Sequence, residues 1–331
     1  MKIKPFSSKH NICILIIPTI IVAFIICGCK ENPTEYSRSG FAFDTVIEIS
    51  VYDGNKEHAE TVLNGCFEIC NKYDQLFNIN NSSGDIYKIN HSDGKPVNVS
   101  SDTLEIIEKS IYYSEISDGL FDITIEPLYE LWNIQESEHS NIPSEDEIKN
   151  ALQYVDYHNI KVSDDSICVP SECKINLGAV AKGYIADKIK EYLIEQNINS
   201  AIINLGGNIV VVGSKPDGNI YNIGIQQPFS STGEIIKSIG VMDQSVVTSG
   251  IYQRYFEYNN KIYHHIINPY TGYPVDNELN SVSVICNNSV DADAYSTICM
   301  LMGYDDAIKW IESIDSISVI FIDKDNKIIE K

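Results

Sequence analysis

Five short segments of this chain place carboxylates, imidazoles, hydroxyls and glycines at spacings that suit phosphate or metal chemistry. In Asp291-Ala292-Asp293-Ala294-Tyr295-Ser296-Thr297, Asp293 and Thr297 stand four apart. On a helix they share one face. A carboxylate and a hydroxyl are hard oxygen donors of the kind Mg²⁺ takes. The same acids also suit a helix N-terminus, with Asp291 as cap. In Tyr263-His264-His265-Ile266-Ile267-Asn268-Pro269-Tyr270-Thr271-Gly272-Tyr273-Pro274, two His end a strand and the Asn-Pro-x-Thr-Gly run is a turn. Adjacent strand positions face opposite ways, so at most one His enters a given pocket. That spoils chelation and suits a base or an orienting group. A polar strand end without chemistry has the same pattern.

The other three segments are richer in glycine or in aromatics. Ile175-Asn176-Leu177-Gly178-Ala179-Val180-Ala181-Lys182-Gly183-Tyr184 puts glycines at a strand-to-helix turn, where backbone can come close to a phosphate or metal. It is not a Walker A loop, because Lys182 precedes the second glycine and no Ser or Thr follows. Ile203-Asn204-Leu205-Gly206-Gly207-Asn208-Ile209 carries a double glycine, which suits a bulge, a close approach to a ligand or a plain turn. Residues 119–132 pack Asp122, Glu126, Glu130, Pro127, Phe121, Tyr129 and Trp132 into one stretch. That stretch reads equally well as a core-facing strand and turn.

These segments need elements to hold them. Hydrophobic periodicity predicts a strand over 41–52, with Ile47, Ile49 and Val51 on one face. It predicts helices over 55–76, 101–116, 144–152, 179–195, 290–302 and 305–314. The second shows Leu104, Ile107, Ile111 and Tyr112 on one face and Ser100 or Ser101 as cap. The third opens with a Ser-Glu-Asp-Glu capping box. Residues 201–212 read as one buried strand ending in glycine turns. Strand follows strand over 220–263, and a hairpin closes the chain. The interleaving lacks strict βαβ alternation, which predicts an α+β fold with mixed or largely antiparallel sheets flanked by helices.

The first thirty residues read as an address. Lys2, Lys4 and Lys9 precede an apolar run over 12–26, broken by Pro18 and Thr19. That run is short for a spanning helix and suits a signal-peptide core. Its end, Ile26-Cys27-Gly28-Cys29, resembles a bacterial lipoprotein cleavage box; an ordinary secretory signal or an uncleaved anchor are the alternatives. The expected organisation is a signal peptide over 1–28, a tether over 29–40 and one domain over 41–331. Acyl chains on Cys29 would hold the protein at the extracytoplasmic face of the cell membrane.

The chain has 331 residues, with 24 Lys+Arg against 46 Asp+Glu, a net charge of −22. Loss of Lys2, Lys4 and Lys9 with the signal would take it to −25. Such a field repels phosphate backbones and excludes a nucleic-acid partner. An anionic substrate needs a cation or local donors to offset it. Cys66 and Cys70 sit four apart in a helical stretch, poor geometry for a disulfide. Cys168 and Cys173 flank a predicted hairpin tip and could bridge across it. No CxxC or zinc spacing is present.

The five segments, in this order, resemble the ApbE family of flavin transferases, the FAD:protein FMN transferases, over about 41–322. The matching pieces are Phe121-Asp122 to Pro127-Leu128 with Leu131-Trp132, Asn176-Leu177-Gly178 to Gly183-Tyr184, Asn204 to Asn208, His265 to Pro274, and Asp293 with Thr297. The resemblance implies FAD as substrate, cleaved at its pyrophosphate. FMN would pass to a Thr or Ser hydroxyl of an acceptor protein carrying a Ser/Thr-Gly-x-Thr/Ser type motif, with AMP leaving. It implies Mg²⁺ held by Asp293, Thr297 and the carbonyl of Ala179. It carries flavin and adenine contacts over to Phe43, Phe77, Leu120, Phe121, Asp122, Asn176, Lys182 and Ile266. His265, at the turn the family places at the cleft, is the candidate to accept the hydroxyl proton or orient the phosphate. An Mg²⁺-dependent FAD pyrophosphatase and a flavin-binding lipoprotein without turnover are the competing readings. Asn176 and Asn268 stand where the family usually has Asp, and Phe43-Asp44-Thr45 where it often has Met-Gly-Thr. Asn176 cannot ionise, so it cannot act as a base.

Overall fold

The computed structural model describes residues 33–134, 142–231 and 233–331. The expected signal peptide and Cys29 lie outside them.

Eight strands form one antiparallel sheet. Its spatial order is Thr34–Ala42, Thr45–Asp53, Ser200–Leu205, Asn208–Gly213, Ser245–Gly250, Leu279–Cys286, Ser318–Asp323 and Ile328–Glu330. Alternation in Thr45–Asp53 turns Ile47, Ile49 and Val51 inward and leaves Val46 and Glu48 outside. The helices Lys56–Phe77, Ala181–Glu195 and Ser289–Met302 cover that inner face and make the main core. The hairpin of Tyr221–Gln226 and Ile235–Val241 covers the other face through Tyr221, Ile223 and Ile225, against Val211, Val246 and Ile320. A third cluster stands apart. The helices Glu126–Trp132 and Glu145–Leu152 pack Leu128, Trp132 and Ile148 against Phe256 and Ile267 near the hairpin Tyr255–Tyr258/Lys261–His264. Among the described residues no helix is long and apolar enough to cross a membrane.

The helix starts follow the local chemistry. Asn55 accepts from the backbone N–H groups of Glu57 and His58, and Ser100 from that of Thr103. Ser144 and Glu147 close a reciprocal capping box.

Three expectations need correction. Residues 34–40 are not a tether but most of an edge strand, in register from Thr34 opposite Asp53 to Ala42 opposite Thr45. Its polar sequence hides it, because only the pairing, set by a turn at Phe43 (φ 54°) and Asp44 (φ 56°), makes it a strand. Residues 201–212 are not one strand but a hairpin folded at Gly206 and Gly207, both with positive φ. The buried face of Ser101–Ile116 carries Ile106, Ile107 and Tyr113, with Thr103, Ser110 and Ser114, while Tyr112 is exposed. Ser110 and Ser114 are buried at no cost in orphaned hydroxyls, since they donate to the carbonyls of Ile106 (2.6 Å) and Ser110 (3.0 Å). The six cysteines of the described residues are free, and no bridge joins Cys168 to Cys173.

Candidate active site

Asp293 is the centre of the arrangement. Burial leaves it 4% exposed, on the first turns of Ser289–Met302. Its Oδ2 accepts the backbone N–H of Gly183 at 2.9 Å. In a regular helix that N–H would reach back four residues to the carbonyl of Ala179. The Ala179 oxygen therefore accepts no backbone hydrogen bond among the described residues. Thr297, one turn on, donates to the Asp293 carbonyl (3.2 Å) and shares a hydrogen bond with Ser249 Oγ (3.1 Å). Burial pushes the Asp293 carboxyl upward, and Lys182, the Gly183 N–H and Asn208 pull it back toward the ionised form.

Two helices must approach closely to build this. Gly183 makes it possible, because a Cβ there would collide with the Ser289 carbonyl. Four residues on, on the same helical face, Asp187 accepts the N–H groups of Ser289 (2.8 Å) and Val290 (2.9 Å). Asp187 thus caps Ser289–Met302 from the neighbouring helix. This corrects the expectation for Asp291, whose carboxylate instead accepts from Tyr113 Oη (2.6 Å) and Asn288 Nδ2 (2.9 Å). The Gly183/Asp187 spacing was the signal that could have found the cap. Burial pushes the Asp187 carboxyl up to about 6.

Among the described residues no three His, Cys, Asp or Glu side chains converge as a metal site. A cation here would rest on one carboxylate with neutral oxygens. Asp293, the Thr297 hydroxyl and the free Ala179 carbonyl are such a set, and it fits a hard divalent ion and no soft one.

His264 and His265 divide as strand alternation requires. His264 is 3% exposed. It donates from Nε2 to the Val275 carbonyl (2.8 Å) and accepts the Ile266 N–H at Nδ1 (3.3 Å). Both nitrogens are committed, and burial pushes it down to about 4. His265 is half-buried, and its Nδ1 lies 3.3 Å from the Arg254 carbonyl. A carbonyl only accepts, so Nδ1 carries the proton and Nε2 keeps its lone pair. Loss of water around the ring, then His264, Arg254 and Lys182, hold His265 below the ordinary imidazole range. Lys182 therefore acts on both His265 and Asp293.

Trp132 from the third cluster and Tyr270 of the turn itself brace the turn after His265. Trp132 Nε1 donates to the Gly272 carbonyl at 2.7 Å, and Tyr270 Oη donates to the Asp118 carbonyl. Asn268 accepts from the N–H groups of Tyr270 and Thr271, so an amide oxygen is all its position requires. The backbone N–H of Asn176 joins 175–184 to 119–132 by donating to the Ile123 carbonyl at 2.7 Å. Ser289 Oγ donates to Asn208 Oδ1 at 2.6 Å, which brings in the double-glycine hairpin. Hydrogen bonds thus link 119–132 to both 263–274 and 175–184, and the Asp293 helix to both 175–184 and 203–209.

The expected flavin contacts divide. Phe43, Leu120 and Lys182 are half-buried. Phe121 (2% exposed) packs edge-on against Tyr113, Phe77 stacks on Tyr73, and Ile266 is buried, so all three serve the core. Asp122 spends its oxygens on Thr124 N–H, Thr124 Oγ1 and the Tyr157 N–H. Asn176 accepts from the Gly178 N–H (2.7 Å) and donates to the carboxylate of Glu126. The residue facing Asn176 escaped sequence reasoning. Glu126 is 4% exposed, and burial pushes its carboxyl up to about 7.

Comparison with known proteins points one way. A family model described as the ApbE family matches residues 43–321. A FAD:protein FMN transferase of Klebsiella pneumoniae is 34% identical over 299 residues, covering 89% of this chain and 91% of that protein. Another, from Treponema pallidum, is 30% identical over 321 residues, covering 91% of this chain and 88% of that protein. The crystal structure of the ApbE protein from Thermotoga maritima superposes with a TM-score of 0.83 at 28% identity, covering 90% of this chain and 97% of that chain. Fold and sequence agree over the whole matched length, and the chain belongs to the ApbE family.

Proposed function

We infer that this chain is a flavin transferase that moves FMN from FAD to a Thr or Ser hydroxyl of an acceptor protein and releases AMP. The observation that carries this reading is the Gly183 N–H on Asp293. It sets a carboxylate, a free carbonyl and Lys182 at one place, with His265 under the same lysine's charge. Asp293, Thr297 and the Ala179 carbonyl would hold Mg²⁺, which when bound neutralises pyrophosphate oxygens and the charge developing on the leaving phosphate.

The chain's own groups do the rest. Lys182 offsets phosphate charge in a protein of net charge −22. His265 Nε2 accepts the proton of the acceptor hydroxyl. The hydroxyl oxygen bonds to the FMN phosphorus, the P–O–P bridge breaks, and the bridging oxygen leaves with AMP. Because His265 sits below the ordinary imidazole range, it is the neutral base at physiological pH. The acceptor is expected to carry a Ser/Thr-Gly-x-Thr/Ser type motif. A lipid on Cys29 would hold the enzyme at the extracytoplasmic face of the cell membrane, which the Ile26-Cys27-Gly28-Cys29 run supports.

The test is incubation with FAD and Mg²⁺, with and without a motif-bearing acceptor, reading AMP and covalently bound flavin. AMP together with flavinylated acceptor is expected. AMP formed without any covalent flavin would make the protein an FAD pyrophosphatase. No AMP under any condition would leave only flavin binding.

A further inference from the structure

The double-glycine segment remains without a task in the chemistry above. Its last residue, Asn208, is 1% exposed on the strand Asn208–Gly213. Ser289 Oγ fixes its Oδ1 at 2.6 Å. A fixed oxygen fixes the other end of a planar amide, and among the described residues that end, Nδ2, has no partner in good hydrogen-bond geometry. A buried amide nitrogen left unpaired is costly and calls for an explanation. Asp293 stands four residues on from Ser289, on the same face of that helix, so the anchored amide lies beside its carboxylate. The amide therefore faces the carboxylate of a helix whose first residue anchors that amide.

We propose that Asn208 is a positioning residue for Asp293: anchored by Ser289, it turns its amide N–H groups onto the carboxylate and holds an oxygen ready for a divalent cation. This rests on the cation reading above. The Gly206-Gly207 turn then has a purpose. It swings the strand so that Asn208 enters the core beside the helix start, and a Cβ at Gly206 would collide with Thr45.

The experiment is calorimetric titration of the full chain, without FAD, using Mg²⁺ and Mn²⁺, alongside melting in EDTA and in Mg²⁺. Asn208→Ala is expected to weaken cation binding about tenfold or more, as loss of a group that orients a metal ligand does. Ser289→Ala, which frees the amide, should weaken it in the same direction by less. Ser245→Ala also removes a buried unpaired hydroxyl, on another strand, and should leave the affinity unchanged. Asn208→Asp keeps the shape but sets two carboxylates together. Its Tm should fall in EDTA and recover in Mg²⁺ by more than the wild type gains. An Asn208→Ala variant with wild-type cation affinity would overturn the proposal. So would an Asn208→Asp variant whose Tm responds to Mg²⁺ no more than the wild type. Failure of the cation reading itself looks different: Asp293→Ala would then bind Mg²⁺ as tightly as the wild type.

Discussion

Asp293 and His265 carry opposite electrostatic demands, and each yields a separate outcome. Asp293→Ala is expected to abolish AMP release from FAD while the protein still folds, since among the described residues its carboxylate takes a single backbone hydrogen bond, from the Gly183 N–H. Mg²⁺-dependent AMP release at the wild-type rate in that variant would remove Asp293 from the site. His265→Ala should slow flavin transfer about 10²–10⁴-fold with FAD binding largely kept. His264→Ala should act on stability instead, because it strips a buried ring of two partners. Equal effects of the two on transfer rate would end the assignment of His265 as base. His264 also sets a pH dependence. Its folded pKa, about 4, lies below the ordinary 6.5, so the unfolded chain binds the proton first and stability falls as pH drops from 6.5 toward 4. Glu126 has the opposite sign. Its carboxyl, raised from 4.5 to about 7, costs stability as pH rises through that window. Glu126→Gln keeps an acceptor for Asn176 and removes the buried charge. It should raise stability at pH 8 by on the order of 2–3 kcal/mol and by nothing near pH 4. Melting curves at the two pH values decide, and equal gains at both would refute the charge argument.

Elements whose cause is local were legible in the sequence; elements whose cause is a partner were not. Asn55, Ser100 and Ser144 announce their helices because a cap needs only its own next turn. The polar edge strand Thr34–Ala42 could not be read, because nothing in TEYSRSGFA alternates and its neighbour supplies the reason to be extended. The motif residues were legible as a set, yet their division of labour was not. Asp187 does the capping expected of Asp291, and Glu126 supplies the carboxylate beside Asn176, each through contacts distant in sequence. The closest of these contacts gives the sharpest prediction at this scale. Gly183→Ala introduces a methyl group against the Ser289 carbonyl, at the crossing of two helices. It should lower stability by about 1–3 kcal/mol, the usual result of overpacking, and weaken cation binding as Asp293 is drawn from Ala179. An alanine variant with unchanged Tm and unchanged Mg²⁺ affinity would show that the crossing is loose.

At the scale of the molecule, the charge of −22 and the expected address segment matter most. Repulsion of an anionic dinucleotide should ease with salt, so the rate of FAD capture at fixed Mg²⁺ should rise as ionic strength goes from low to about 0.15 M. Stopped-flow flavin fluorescence measures it, and a falling rate would mean that local cations such as Lys182 and Arg254 dominate the approach. Mass spectrometry of protein from cells that process lipoproteins should find acyl chains on Cys29; an unmodified N-terminus elsewhere would refute the anchor. The edge strand then acquires a second meaning. From Cys29 to Thr34 the chain extends at most about 17 Å, and the strand Thr34–Ala42 adds roughly 30 Å before the Phe43 turn. With Cys29 acylated, so short a reach would keep the edge strand and its sheet within some tens of ångströms of the bilayer. An acceptor threonine held within that height, in the same membrane, would meet the enzyme at an effective concentration on the order of millimolar. One carried higher, or free in solution, would have no such advantage, so an anchor at Cys29 would select acceptors by altitude before any side chain does.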